Sequence, residues 1–365
     1  MLSRRQFLAA GLALGSAPLW ANLIGSREGM YVSAFSSDGN HFAAGFNDVG
    51  NILWHIQLPE RAHAPVLHPT QAVAGFVARR PGFYMDFVNV RTGDFLQRIT
   101  PTQDHHFYGH ALFSHDGDFL ITQENHFPTG EGKIFVRRWP SAEVVAEYSS
   151  GGIGPHEAVF LNSSTIVIAN GGLRTHPDND RDILNLDTMA PNLTYLNWQT
   201  GEILQQVKHA DKWHQLSIRH LDVNQHGEVV IGCQHQGEAW EQVPLVAVSR
   251  IDATDFRYLD MPEPIRARFK QYCGSVCFDK SGELVAISTP RGGFVAYWRI
   301  SDHQFIGVDN CRDVCGLSPS NESGSFILTS GTGKVLNTLV YENHIELITQ
   351  HASIRWDNHL RRVTI

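Results

Sequence analysis

The chain has no surplus of positive charge. Its 29 lysines and arginines stand against 37 acidic residues, a formal net charge of −8. A protein that binds nucleic acid through the phosphates needs the opposite, so that class is set aside. No glycine-rich phosphate loop, no Cys-x-x-Cys-His haem-attachment motif and no serine in a nucleophile-elbow context occurs. Gly331-Thr332-Gly333 reads as a turn, not as a nucleotide fingerprint. Cysteine is scarce: five residues in 365 allow at most two internal disulfides and leave one thiol over. Helical periodicity is also missing beyond the N-terminus, and the one apolar run there is too short for a stable membrane span.

What is present is ordinary globular material, 42% hydrophobic and 18% charged, with 20 histidines, a high number. The N-terminus reads Ser3-Arg4-Arg5-Gln6-Phe7-Leu8, then an apolar stretch rich in Gly and Ala as far as Trp20. A twin arginine before a short apolar run is a Tat export signal, here residues 1–21, with Ala17 and Ala21 both open as cleavage sites. The expected address is the periplasm, where disulfides persist.

Beyond the signal, short β-branched and aromatic runs alternate with Gly, Asp and Asn turns. Ile166 to Ala169, Val229 to Ile231 and Phe326 to Thr329 are examples. A repeat fixes their register. His110 to Gly117 is a strand running into a tight turn. His220 to Gly227 repeats it with the same offset, and Ser275 to Gly282 repeats it with Ser in the His place. His63 to Thr70, His156 to Ser163 and Cys315 to Gly324 are looser copies. Each copy leads into a second strand, a variable loop, a third strand, a tight turn such as Gln199-Thr200-Gly201-Glu202, and a fourth strand. Four strands per unit of this length make a propeller blade. Asn358 to Val363 looks like one more first strand with no blade after it, while the segment from Tyr31 to Ile56 supplies only three strands. The sequence therefore predicts an all-β, seven-bladed β-propeller over residues 28–365, closed by the C-terminal strand. An irregular pair of β-sandwiches is the alternative.

Alternate connections in a four-stranded meander emerge on one face. The polar loops around Ala78 to Gly82, Glu124 to Pro128, Asn170 to Asp178, Gln234 to Gly237 and Thr289 to Gly293 should thus share a face. The long stretch from Gly171 to Pro191 is expected to carry the most specific surface.

These loops resemble an uncharacterised bacterial family, domain of unknown function fifteen-thirteen. The residues that carry the resemblance include Ala78-Arg79-Arg80-Pro81-Gly82, Phe107-Tyr108-Gly109-His110, Gly152-Ile153-Gly154-Pro155-His156-Glu157, Thr175-His176-Pro177-Asp178, Arg219-His220-Leu221 and Trp356-Asp357-Asn358-His359-Leu360. The resemblance implies Tat export and a role near periplasmic iron acquisition, beside imelysin-like and di-haem-oxidase-like partners. It brings no proven activity or ligand. Cys233, Cys273, Cys277 and Cys311 depart from the family pattern.

Chemistry is expected first at the histidines of common register. His63, His110, His156, His220 and His359 all open first strands, which line a propeller's channel. Five imidazoles at one mouth suit a transition metal, iron or copper, with Glu157 as a neighbouring carboxylate. Hydrogen bonding to neighbouring blades is the alternative for each. A looser set on the loops comprises Glu124, His176, Asp178 and His235, for which turn chemistry is the competing reading. Asn170 and Ser275 complete the candidate ligand-binding residues, and Arg79, Arg80, Arg174 and Arg291 make the same face attractive to carboxylates or phosphates. Cys273 and Cys277, with Cys311 and Cys315 in matching places, suggest an inter-blade disulfide more than a zinc site. The functions in view are a metal-binding periplasmic protein, a metal-dependent hydrolase of lactonase type, and a docking platform without a ligand of its own.

Overall fold

A computed structural model describes residues 29–179 and 182–364. The export signal expected at residues 1–21 lies outside the described residues. Among the described residues no helix is long and apolar enough to cross a membrane.

Seven sheets of four antiparallel strands form a ring, a seven-bladed β-propeller. Blade 1 is composite. Its innermost strand is Arg355–Val363, paired with Met30–Ser37, then Asn40–Asn47 and Ile52–Leu58. Met30 lies opposite Val363 and Ser36 opposite Arg355, so the two ends of the chain close the circle in one sheet. The innermost strands of blades 2 to 7 are Ala62–Leu67, His105–Phe113, Pro155–Phe160, Leu216–Val223, Ser275–Phe278 and Val314–Pro319.

Burial follows from the position of each strand in its blade. The second strand of blade 4, Thr165–Asn170, is covered on both sides and opens with four β-branched residues, Thr165 to Ile168, the whole strand being buried. The outermost strand of blade 3, Val144–Ser149, has no buried residue. Blades adhere through apolar side chains, and buried polar handles find neighbours across the seams. The Trp54 indole donates to the Val90 carbonyl at 2.7 Å, and the Trp298 indole to Asp260 at 2.8 Å. Tight turns rest on glycine where the backbone demands it, as at Gly201 with φ of 78°.

The innermost strands are not regular. Pairing breaks between Ala62 and Pro65, Phe107 and Ala111, Pro155 and Glu157, and Ile218 and His220. Opposite the C-terminal strand the register shifts between Ser33 and Phe35. Such bulges re-aim side chains. All five histidines of the common register sit in or directly beside one.

The cysteine expectation is corrected. All five cysteines are buried and free. Cys273 packs near Cys233, donating its thiol toward the Leu245 carbonyl, whereas Cys277 and Cys315 turn to the carbonyls of Phe278 and Asp313. Burial pushes the thiols of Cys273 and Cys311 up to about 12 and about 11. They behave as small hydrophobes rather than as ligands or redox partners.

Candidate metal centre

The five bulged histidines meet on the propeller axis. Ring centroids of successive blades stand close: His359 to His63 at 4.7 Å, His63 to His110 at 4.9 Å, His110 to His156 at 5.0 Å and His156 to His220 at 4.7 Å. His220 and His359 close the circle at 4.9 Å. At the same register blades 6 and 7 carry only Ser275 and Gly316, which leave the axis to the imidazoles. The tight fit has a backbone cause at Gly109, whose φ is 108° and where any Cβ would lie 2.8 Å from Cβ of His63.

Hydrogen bonds orient three of the rings from outside. Glu157 lies between His110 and His220, 3.3 Å from Nδ1 of the first and 3.0 Å from Nδ1 of the second. Ser275 Oγ is 3.1 Å from Nδ1 of His359. This leaves Nε2 of His110 and of His359 buried with no hydrogen-bond partner, and both ring nitrogens of His63 as well. Unpartnered buried nitrogens are costly. Two triads have donor atoms within 4.8 Å of one another: His63, His110 and His359, and His110, His156 and His220. Three nitrogens spread evenly around one ion at bonds of roughly 2.1 Å lie at most about 3.6 Å apart. Either triad would therefore have to draw inward to hold a transition metal, and the two triads share only His110.

The electrostatics suit a cation. Burial lowers His63, His156, His220 and His359, and their mutual proximity adds to the effect, so these imidazoles are neutral, the form that binds metals. Burial alone would raise the Glu157 carboxyl, but His110 and His220 hold it well below the usual carboxylate range. Arg361 stands 3.5 Å from Glu157 and is half exposed.

One side of the cluster opens into a cavity of about 240 Å³, lined by His63, His156 and His220 at its floor and by Arg79, Arg80, Arg219, Arg291, Tyr108 and Tyr272 around it. The loops that supply Arg79, Arg80, Gln234, His235 and Arg291 do share one face, as the meander predicts.

The family model described as "protein of unknown function (DUF1513)" matches residues 56–363. The chain belongs to the DUF1513 family. Among curated proteins none matches. A chain from a crystal structure of the mitotic checkpoint complex is similar at a TM-score of 0.58 and 9% identity, over 78% of this chain and 76% of that one. At that identity the likeness concerns the fold alone.

In this DUF1513 member the remaining candidate residues divide. Arg80 and His235 line the cavity, and His235 Nε2 is held 2.6 Å from Glu241. Glu124, Asn170, His176 and Asp178 do not line it. Glu124 is buried inside blade 3 and paired with Arg137 at 2.7 Å. Asn170 bonds Ser150, Asn192 and Thr194. His176 accepts from the amide of Asp178 in a surface turn. Arg174 is exposed and donates to the Pro128 carbonyl. The described residues between Gly171 and Pro191 also stay outside the lining; the Tyr108 hydroxyl anchors their start by donating to the Leu173 carbonyl. Sequence reasoning missed Arg219, Arg361, Tyr108 and Tyr272 as site residues. The available signal was proximity in the inner strands, since Arg219 directly precedes His220 and Arg361 follows His359 by two positions.

Proposed function

We propose that this protein is a periplasmic binding propeller that holds a transition metal, iron or copper, in its five-histidine cluster and serves iron acquisition. The observation that carries the reading is the convergence of five imidazoles, four of which (His63, His110, His156 and His359) hold buried ring nitrogens with no hydrogen-bond partner, with Glu157 and Ser275 fixing rings from behind. Carboxylate or hydroxyl support behind a ligating histidine is how protein metal sites set ring orientation and basicity. Imidazole suits iron and copper alike. Tat export and the company of imelysin-like and di-haem-oxidase-like proteins belong to this proposal through the family resemblance.

Binding is favoured over hydrolysis by the role of Glu157. A hydrolase of this type needs a base free to take a proton beside the metal, and Glu157 is committed to His110, His220 and Arg361. The docking reading draws on Trp240, which is 78% exposed on the loop following the second strand of blade 5.

Elemental analysis of protein purified from the periplasm, followed by titration of the chelator-stripped protein with Fe(II) and Cu(II), tests the proposal. One ion per chain is expected, with binding lost in His110→Ala and His220→Ala while the far-ultraviolet spectrum and melting stay those of a folded propeller. Protein that arrives without metal and takes up none would leave the docking reading in its place.

A further inference from the structure

The mouth above the histidines has a charge pattern of its own. Arg79, Arg80, Arg219 and Arg291 line the cavity, and among the described residues no aspartate or glutamate does. Elsewhere in this acidic chain arginines meet carboxylates: Arg61 with Asp357, Arg98 with Asp86, and Arg137 with Glu124. The mouth gathers four guanidinium groups where, among the described residues, no carboxylate lines the space.

Two of these arginines are held ready. Nε of Arg80 is buried and has no hydrogen-bond partner among the described residues, a donor whose desolvation is left unrepaid. The Arg291 guanidinium lies over the Tyr272 ring, 4.3 Å from its centroid. Stacking fixes the plane of the fork without using its N–H groups. The forks of arginine match a carboxylate edge bidentately. At about 240 Å³ the cavity is just below the roughly 300–1,000 Å³ of small-molecule sites, and it is roomier than a single inorganic oxyanion requires.

We infer that the mouth is a binding site for a small polycarboxylate, taken up between Arg80 and Arg291 over the histidine floor. The arginines carry this inference, so it does not rest on the metal reading.

Calorimetric titration of the chelator-stripped, dialysed protein tests it, with citrate as the probe and inorganic phosphate as the comparison. One saturable citrate site is expected, weakening as NaCl rises from about 50 to about 500 mM because the contact is ionic. Phosphate should bind about tenfold more weakly or worse, and Arg291→Gln should weaken citrate by about tenfold. Arg80→Gln should do the same; Arg291 is at the exposed rim, so its variant keeps the test open if the Arg80 variant fails to fold. Absence of saturable citrate binding, unchanged affinity in Arg291→Gln, or phosphate binding as tightly as citrate would each overturn the inference. Since no metal is present in these titrations, a failure of the metal proposal leaves their outcome untouched.

Discussion

Arg61 and Asp357 are 296 positions apart in the chain and joined by two hydrogen bonds, Nε to Oδ2 at 2.5 Å and Nη2 to Oδ1 at 3.0 Å. Arg61 immediately precedes the inner strand of blade 2, and Asp357 lies in the C-terminal strand. The fork therefore ties the closing strand to the next blade. The carboxylate is buried and the arginine partly exposed. Arg61→Ala strands a buried acid and should cost about 1–3 kcal/mol, read as a lower denaturant midpoint. Deleting residues from Trp356 onward removes the strand itself, and no cooperative native-like transition should remain. A truncated chain that melts like the full one would refute closure by this strand.

Glu157→Gln tests the support behind the histidines. The amide keeps the shape but gives up the charge that faces His110 and His220. Loss of such support usually costs 10- to 100-fold in metal affinity. Competition against a chelator of known strength should show that loss, with all five imidazoles still in place.

A pH prediction concerns His209, away from the channel. Burial lowers its pKa to about 3. Its Nδ1 lies 2.9 Å from the Tyr258 hydroxyl. The folded chain binds this proton less tightly than the unfolded chain does. The contribution to stability is thus whole above the unfolded value near 6.5 and is lost as pH falls from 6.5 toward 3. At pH 4.5 the loss from this one group is about 2–3 kcal/mol. Urea unfolding of His209→Gln at pH 7 and pH 4.5 should show a drop smaller by about that amount than in the parent chain.

The export proposal is tested by changing Arg4 and Arg5 to lysine together, since the Tat route reads the arginine pair itself. The double variant should accumulate inside the cell. Normal amounts in the periplasm would overturn the assignment of residues 1–21 as a Tat signal.

The propeller was legible because its register is local. The run from His110 to Gly117 and its copy from His220 to Gly227 each state a strand and the turn that ends it, and the unpaired strand near the C-terminus states how the ring closes. The convergence of the histidines followed from that register. The part played by Glu157 did not, because it arises where blades 3, 4 and 5 pack, and neither His110 nor His220 is near it in sequence. Arg219 was hidden for a related reason: a regular strand would turn it away from the face that holds His220, and only the bulge beside it changes that. The cysteines misled through spacing. Their matching positions in adjacent blades are real, but each thiol turns to a nearby backbone carbonyl or to packing instead of to its counterpart.

His359, the fifth histidine, lies on the strand whose pairing shuts the circle. The other four come from blades 2 to 5, so the five donors meet only once this strand has taken its place in blade 1. An ion held by the triad of His63, His110 and His359 would favour the closed form and act as a clasp across the seam between the chain's two ends. Opening the seam would then weaken the hold on the ion, and loading the ion would resist opening.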